Sequence, residues 1–547
     1  MADDQVPWPD PPRQPGPWAG GPPVAPPGNT ALPPLPGAGG VVHNGGSSNP
    51  WTTAGTSAPI GSSPPPRSDP YPTGAPARGP LVDRAPGWVL ALSALIVLAL
   101  VAGGAYVVLK GKRTFPSAWD PRIRPIADWV AKERKLSFDH PVEVKFLEPA
   151  EYTKVSTGGS VDEAPDATSK AEAANQVAQL RALGFISGEL DLDAATKTLA
   201  DSGTLAFYNP EDKVVYVRGT AMTPSLRVTL AHELTHVLQD QHFDLTRVAS
   251  LPDSEGGVLR ALAEGDASRI EDAYAEKVLS ADERRDYEKQ SRADSRDATD
   301  KLDDKVPPIL TAVFASPYVL GPELLTYLTL QGGDRAIDKT FTNIPSEEVL
   351  FDPQTYKTPA AAPVTVELEA PTGTKAVDDG EFGPTTWFLL LASRLEPTRA
   401  LAAVDGWGGD HYVVYRDAGK VCVGADVRAD SPKDLEQFSD ALGDWSAKSP
   451  KGTSSVDVDG STVHFRSCDP GKDAKAVGNV DEQFLALPVS RTQVYDEVVK
   501  SGGSNKSAAC FSSRIVERFT LDQLTDDSYI SGSEGQQAID AIRSECI

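Results

Sequence analysis

Seven histidines are spread over the 547 residues of this chain, and two of them, His232 and His236, stand in the string HELTH. Four positions apart on a helix, they project from one side about one turn apart, so both imidazoles can reach a single tetrahedral Zn2+ at about 2.0–2.1 Å. Glu233, turned about 100° from His232, is placed to take a proton from a water as that water attacks a carbonyl. The chemistry this triplet suits is metal-assisted hydrolysis.

Such a site needs a third protein ligand, and two candidates imply different architectures. His242 gives HELTHVLQDQH the ligand spacing of HExxHxxGxxH, but Gln239 stands where that pattern has its turn-forming glycine. If the helix simply continues, His242 faces away from His236 by about 120°. The only methionines are Met1 and Met222, so no methionine turn can follow downstream. The other candidate is Glu264 in VLRALAEGDASRIEDAYAEKVL (258–279), a helix expected after a loop containing Pro252, Gly256 and Gly257. Glu264 sits within the apolar face formed by Leu259, Leu262, Ile270 and Ala273, beside Gly265, where a small residue lets another helix approach. A buried acid needs a partner, and a cation is the obvious one. Glu255, Glu271 and Glu276 are fallback ligands. Asp266 or Asp272 could accept a hydrogen bond from the far nitrogen of a ligand histidine. On the residues alone the third ligand stays open between His242 and Glu264.

The elements that must position these groups can be read from spacing. TPSLRVTLAHELTHVLQDQHFDL (223–245) is a helix with Thr223 as N-cap, Pro224 at its first position and Leu226, Leu230, Leu234, Val237 and Leu238 on one face. Before it, TLAFYNPEDKVVYVRG (204–219) predicts a hairpin, AEAANQVAQLRALGF (171–185) a helix, PVEVKFLEP (141–149) a strand and DPRIRPIADWVAKERKL (120–136) a helix. The strand KVVYV (213–217) is expected at the sheet edge, where an extended peptide could add to it. Tyr318 and Tyr327 are candidate oxyanion donors, though each is read first as a core aromatic. From 361 onward, VTVELEAP, HYVVYRDAGKVCVGADV and TSSVDVDGSTVHFRSC alternate as strands, while DDGEFGPTTWFLLLASRL and SPKDLEQFSDALGDWSA predict helices. GWGGD (406–410) reads as a turn beside the cleft.

HELTH followed by an acid in a second helix resembles the gluzincin metallopeptidases. The longer strings AHELTHVLQDQHFDL, ALAEGDA, PYVLGPELL and GWGGDHYVVY are similar to a group of bacterial membrane-anchored zincin-like proteins, over roughly residues 200–415. The resemblance implies an α+β fold with a zincin-like metallopeptidase domain, Zn2+ held by His232, His236 and Glu264, and Glu233 as general base. The 27 residues between His236 and Glu264 exceed the interval in thermolysin.

The rest of the chain divides into parts with separate physics. Residues 1–87 hold 23 of the 47 prolines and 14 of the 46 glycines, a composition that cannot bury enough apolar surface to fold, so a disordered tail is expected. Trp88–Leu109 carries no charge over 22 residues, roughly 33 Å as a helix, and reads as one transmembrane span. HELTH lies outside it, which excludes the intramembrane type of zinc protease. Two domains are then expected, a metallopeptidase domain over 114–360 and an α+β domain over 361–547. The basic flank of Lys110, Lys112, Arg113, Arg122 and Arg124 would place them inside the cell. The four cysteines, Cys422, Cys468, Cys510 and Cys546, show no CxxC spacing and suggest two disulfides, hence an oxidising compartment. The expected arrangement is the tail in the cytoplasm and the domains outside, with Cys422–Cys468 and Cys510–Cys546 preferred among three connectivities. A formal charge of −25 argues against nucleic acid as the main partner. The metallopeptidase resemblance implies a peptide or protein substrate. The competing expectation is a non-catalytic envelope protein whose zincin-like domain binds a partner or a structural metal.

Overall fold

The computed structural model describes residues 114–156, 167–201, 205–302, 305–356, 363–475 and 478–546. The expected tail and the Trp88–Leu109 span lie outside them.

Four helices and three short strands come first: α1 (Arg124–Arg134), β1 (Glu143–Leu147), α2 (Pro149–Ser156), α3 (Ala167–Ala182), α4 (Leu192–Asp201), β2 (Ala206–Asn209) and β3 (Val214–Arg218). The strands form one sheet in the order β1-β3-β2, with β1 parallel and β2 antiparallel to β3. The strand 213–217, expected at the edge, is therefore the central one. Its buried run Val214–Val217 fits a strand flanked on both sides, and it has no free edge for a peptide.

A helical layer follows: α5 (Pro224–Phe243), α6 (Asp253–Lys277), α7 (Ala281–Leu302), α8 (Pro308–Gly332) and α9 (Asp334–Thr342). Among the described residues α8 is the one helix long and apolar enough to cross a membrane, and half of it is buried within the protein. It packs on α6 through two glycines: a Cβ on Gly265 would lie 2.5 Å from the Gly321 carbonyl carbon, and one on Gly321 2.2 Å from the Ala261 oxygen. No larger side chain fits at this crossing.

The remaining elements are β4 (Lys375–Gly380), α10 (Gly383–Ala392), α11 (Pro397–Val404), β5 (Trp407–Asp417), β6 (Lys420–Ala429), α12 (Pro432–Ala447), β7 (Ser454–Asp459), β8 (Thr462–Cys468), α13 (Ala486–Lys500), α14 (Asn505–Arg518), α15 (Leu521–Thr525), α16 (Asp527–Ser531) and α17 (Ser533–Cys546). Their strands make an antiparallel sheet in the order β4-β5-β6-β8-β7. Helices and sheets are thus mixed as an α+β chain, and one contiguous apolar core runs through it from Ile123 to Ile542.

Three local expectations fail. VTVELEAP forms no strand, although the Val364 N–H reaches the Gly408 carbonyl. The helix expected over 378–395 is split into β4 and α10, and Gly383, the first residue of α10, takes φ +68°. GWGGD is no open turn: Trp407 begins β5, and the pairing shifts between Trp407 and Gly409. Cys422 and Cys468 face each other across β6 and β8, and Cys510 pairs with Cys546, in the expected connectivity.

Candidate metal centre

Helix α5 begins as its sequence dictates. The Thr223 hydroxyl accepts the Leu226 N–H at 3.1 Å, and Pro224 takes the position where no backbone donor is needed. His232, Glu233 and His236 then fall in a stretch that is fully buried from Val228 to Gln239. Helix α6 starts at Asp253, five residues before the expected start, so Gly256 and Gly257 lie inside it and not in a loop. Glu264, in the middle of α6, is 3% exposed.

The two helices bring three groups to one point. Glu264 Oε2 lies 3.2 Å from His232 Nε2 and 3.6 Å from His236 Nε2. Among the described residues this is the one set of three histidine, cysteine or acidic side chains whose donor atoms all lie within 4.8 Å of one another. The far nitrogens of both rings are held: His232 Nδ1 by Glu271 Oε2 at 2.9 Å, and His236 Nδ1 by Gln239 Oε1 at 2.7 Å. Burial pushes His232 down to about 4, so its ring is neutral at neutral pH, as a ligand must be.

Two atoms at this point are buried without a hydrogen-bond partner, His236 Nε2 and Glu233 Oε1. Buried polar atoms are seldom left so. A buried imidazole nitrogen facing a carboxylate oxygen at 3.6 Å, without a hydrogen bond to it, is an arrangement that a divalent cation would satisfy. Two nitrogens and one oxygen are a donor set that zinc accepts. The residues present therefore fit the group that the sequence implied.

Glu233 is fixed from the sheet side. Leu205 pairs with Arg218, so the register turns the N–H of Tyr208 outward from β2, and it donates to Glu233 Oε2 at 2.8 Å. The Tyr208 hydroxyl donates to Asp240 at 2.6 Å, tying β2 to α5 a second time. Burial raises Glu233 well above the usual carboxylate range, the direction a general base near neutrality needs.

The other candidates separate clearly. His242 is exposed, and its Nε2 lies 2.9 Å from the Ser137 carbonyl, away from the three-residue group. Glu271, expected as a fallback ligand, is buried behind His232, with Tyr287 beside it. Asp266 does not touch either ring; Gln239 stands between it and His236. Tyr327 packs against Tyr495 as a core aromatic. Tyr318 does more than fill the core: its hydroxyl meets the Glu264 carboxylate. The signal that could have found it is Gly321, one turn further along α8, where that helix closes onto α6.

Residues 370–496 match a family model described as a domain of unknown function (DUF8575), a region that begins beyond Glu264 and covers β4 to most of α13. No curated protein and no solved structure matches the chain.

Proposed function

We propose that this chain is a membrane-anchored, zinc-dependent metallopeptidase with a zincin-like catalytic domain. The observation that carries this reading is the meeting of His232 Nε2, His236 Nε2 and Glu264 Oε2 within 4.8 Å, with Glu233 on the same helix. Zinc, when bound by these three residues, supplies Lewis-acid polarisation of a scissile carbonyl and acidifies water. Glu233 does the proton work: Oε2 is held by the Tyr208 N–H, while Oε1 is left to accept a proton from the attacking water and return it to the leaving amine. The Tyr318 hydroxyl is placed to donate to negative charge that develops on the carbonyl oxygen.

Support for the location comes from the two cysteine pairs, which suit an oxidising compartment, together with the apolar Trp88–Leu109 segment. The domains then lie outside the membrane and the Pro/Gly-rich tail inside. The test is metal content and peptide hydrolysis of the full chain in detergent. The parent should carry one equivalent of zinc and cleave an unfolded protein substrate, and His232→Ala should lose both. Zinc retained in full by His232→Ala would sink the reading.

A further inference from the structure

Gln239 is fully buried, and all of its amide is used. Its Nε2 lies 3.0 Å from the Ala263 carbonyl and 3.2 Å from Asp266 Oδ2. A carbonyl can only accept, and Asp266 is held as a carboxylate: Arg134 Nε lies 2.7 Å from its Oδ2 and Arg269 2.8 Å from its Oδ1. The amide nitrogen must therefore face these acceptors, because a flipped amide would set oxygen against oxygen twice. This orientation leaves Gln239 Oε1 against His236 Nδ1 at 2.7 Å, and Oε1 can only accept. The proton of a neutral His236 is thereby confined to Nδ1, and Nε2 keeps its lone pair toward Glu264.

Arg134 makes the chain of contacts longer. It is 0% exposed, comes from α1, and also reaches Asp338 at 2.5 Å. The helix that follows the expected membrane span is thus joined to His236 through Asp266 and Gln239. Removing one partner from such a buried network leaves the others uncompensated.

We infer that Gln239 is the positioning residue for the second metal ligand: it fixes the tautomer and ring orientation of His236, and Arg134 holds Asp266 so that the Gln239 amide cannot turn over. This rests on the metal-centre reading above. Partners of this kind affect metal affinity by about 10–100-fold.

The experiment uses the full chain in detergent, stripped with a chelator and titrated with Co2+ and Zn2+, following affinity and the visible cobalt bands. Gln239→Met keeps a flexible side chain of similar length and removes both the acceptor and the donor. It should bind each metal about 10–100-fold more weakly than the parent, with altered cobalt bands. Should Gln239→Met fail to fold, Gln239→Asn keeps the amide but withdraws it by one methylene, and the same loss is expected. A residue that only filled space would change the melting temperature of the metal-free protein and leave both metal readouts alone. Parent-like affinity and band shape in whichever variant folds overturns the inference by itself. A parent that takes up neither metal overturns the metal centre and this inference with it.

Discussion

Helix α6 carries two buried groups of acids that look alike in sequence and differ in what they leave undone. Near its middle, Glu264 and Glu271 meet His232, Glu233 and His236; near its start, Asp253 and Ser254 meet Glu347, Glu381 and Asp410 from later in the chain. Eleven residues, about 16 Å of helix, separate Asp253 from Glu264. In the second group the protein provides the donors itself. Asp410 accepts from the backbone N–H groups of Phe382 and Gly383 at 2.7 and 2.9 Å and from the indoles of Trp387 and Trp407 at 3.0 and 2.8 Å. Glu347 accepts from the Thr385 hydroxyl at 2.9 Å, and the half-buried Arg260 faces both Asp253 and Glu347. In the first group His236 Nε2 and Glu233 Oε1 have no such donor. Buried acidity alone is thus no mark of a site; convergent lone pairs without a donor are.

The sharpest way to break this contrast is Glu233→Gln. It removes the proton acceptor and keeps the shape, so peptide hydrolysis should fall by about 10²–10⁴-fold while zinc content and melting temperature stay near those of the parent. Hydrolysis at the parent rate would show that Glu233 is not the base. Asp410→Ala should do the opposite. Four donors lose their acceptor at a cost of about 1–3 kcal/mol for each group left unpaired, so stability falls steeply while zinc affinity holds in the protein that remains folded. A variant with parent-like denaturant resistance and weakened zinc binding would reverse the roles assigned to the two groups. Chelation gives a third, smaller contrast. Metal that binds only the folded state adds about 2.7 kcal/mol at a hundredfold excess over its dissociation constant, so stripped parent and stripped Asp410→Ala should each lose that increment. Its absence in the parent would remove the metal from the folded-state account.

How much of this was legible depended on the range of the interactions. The α5 boundaries, the HELTH geometry and the pairing of Cys422 with Cys468 come from contacts that strand and helix periodicity report directly. Glu264 was legible as one of two options, and Gly265 beside it hinted at the close approach that α8 makes. Gln239 was visible only as the place of a missing glycine, since its role is set by Ala263 and Asp266, 24 and 27 residues away. Glu271 stood out from the other fallback ligands by nothing in the sequence, because α6 is buried around much of its circumference and no single apolar face marks its buried acids. The edge position of 213–217 failed for a related reason: alternation tells that a strand is extended, not which neighbours pair with it. Asp410 was hidden in GWGGD, where glycines that read as a turn instead admit the backbone of Val364 against Gly409, with φ +128°.

The smallest expected effect concerns pH, read through one acid of the second group. Burial pushes Glu347 up to about 8, Glu381 to about 7 and Asp253 to about 6, against Thr385, Ser254, Arg260 and Asp410 as the facing groups. Each folded value lies above the value of about 4.3 for Glu or 3.9 for Asp expected in the unfolded chain. Between the two values the folded state holds a proton that the unfolded state has released, so stability falls as pH rises. For Glu347 the window runs from about 4.5 to about 8: its contribution is fully present below the window and lost above it. The melting temperature of the parent should therefore drop between pH 6 and pH 8.5. Glu347→Gln, neutral throughout, should make that drop shallower without abolishing it, because Glu381 still titrates within the same range. An unchanged slope in Glu347→Gln would place the proton elsewhere. A change in zinc affinity at fixed pH would mean that the start and the middle of α6 are coupled, which the separate partners of the two groups argue against.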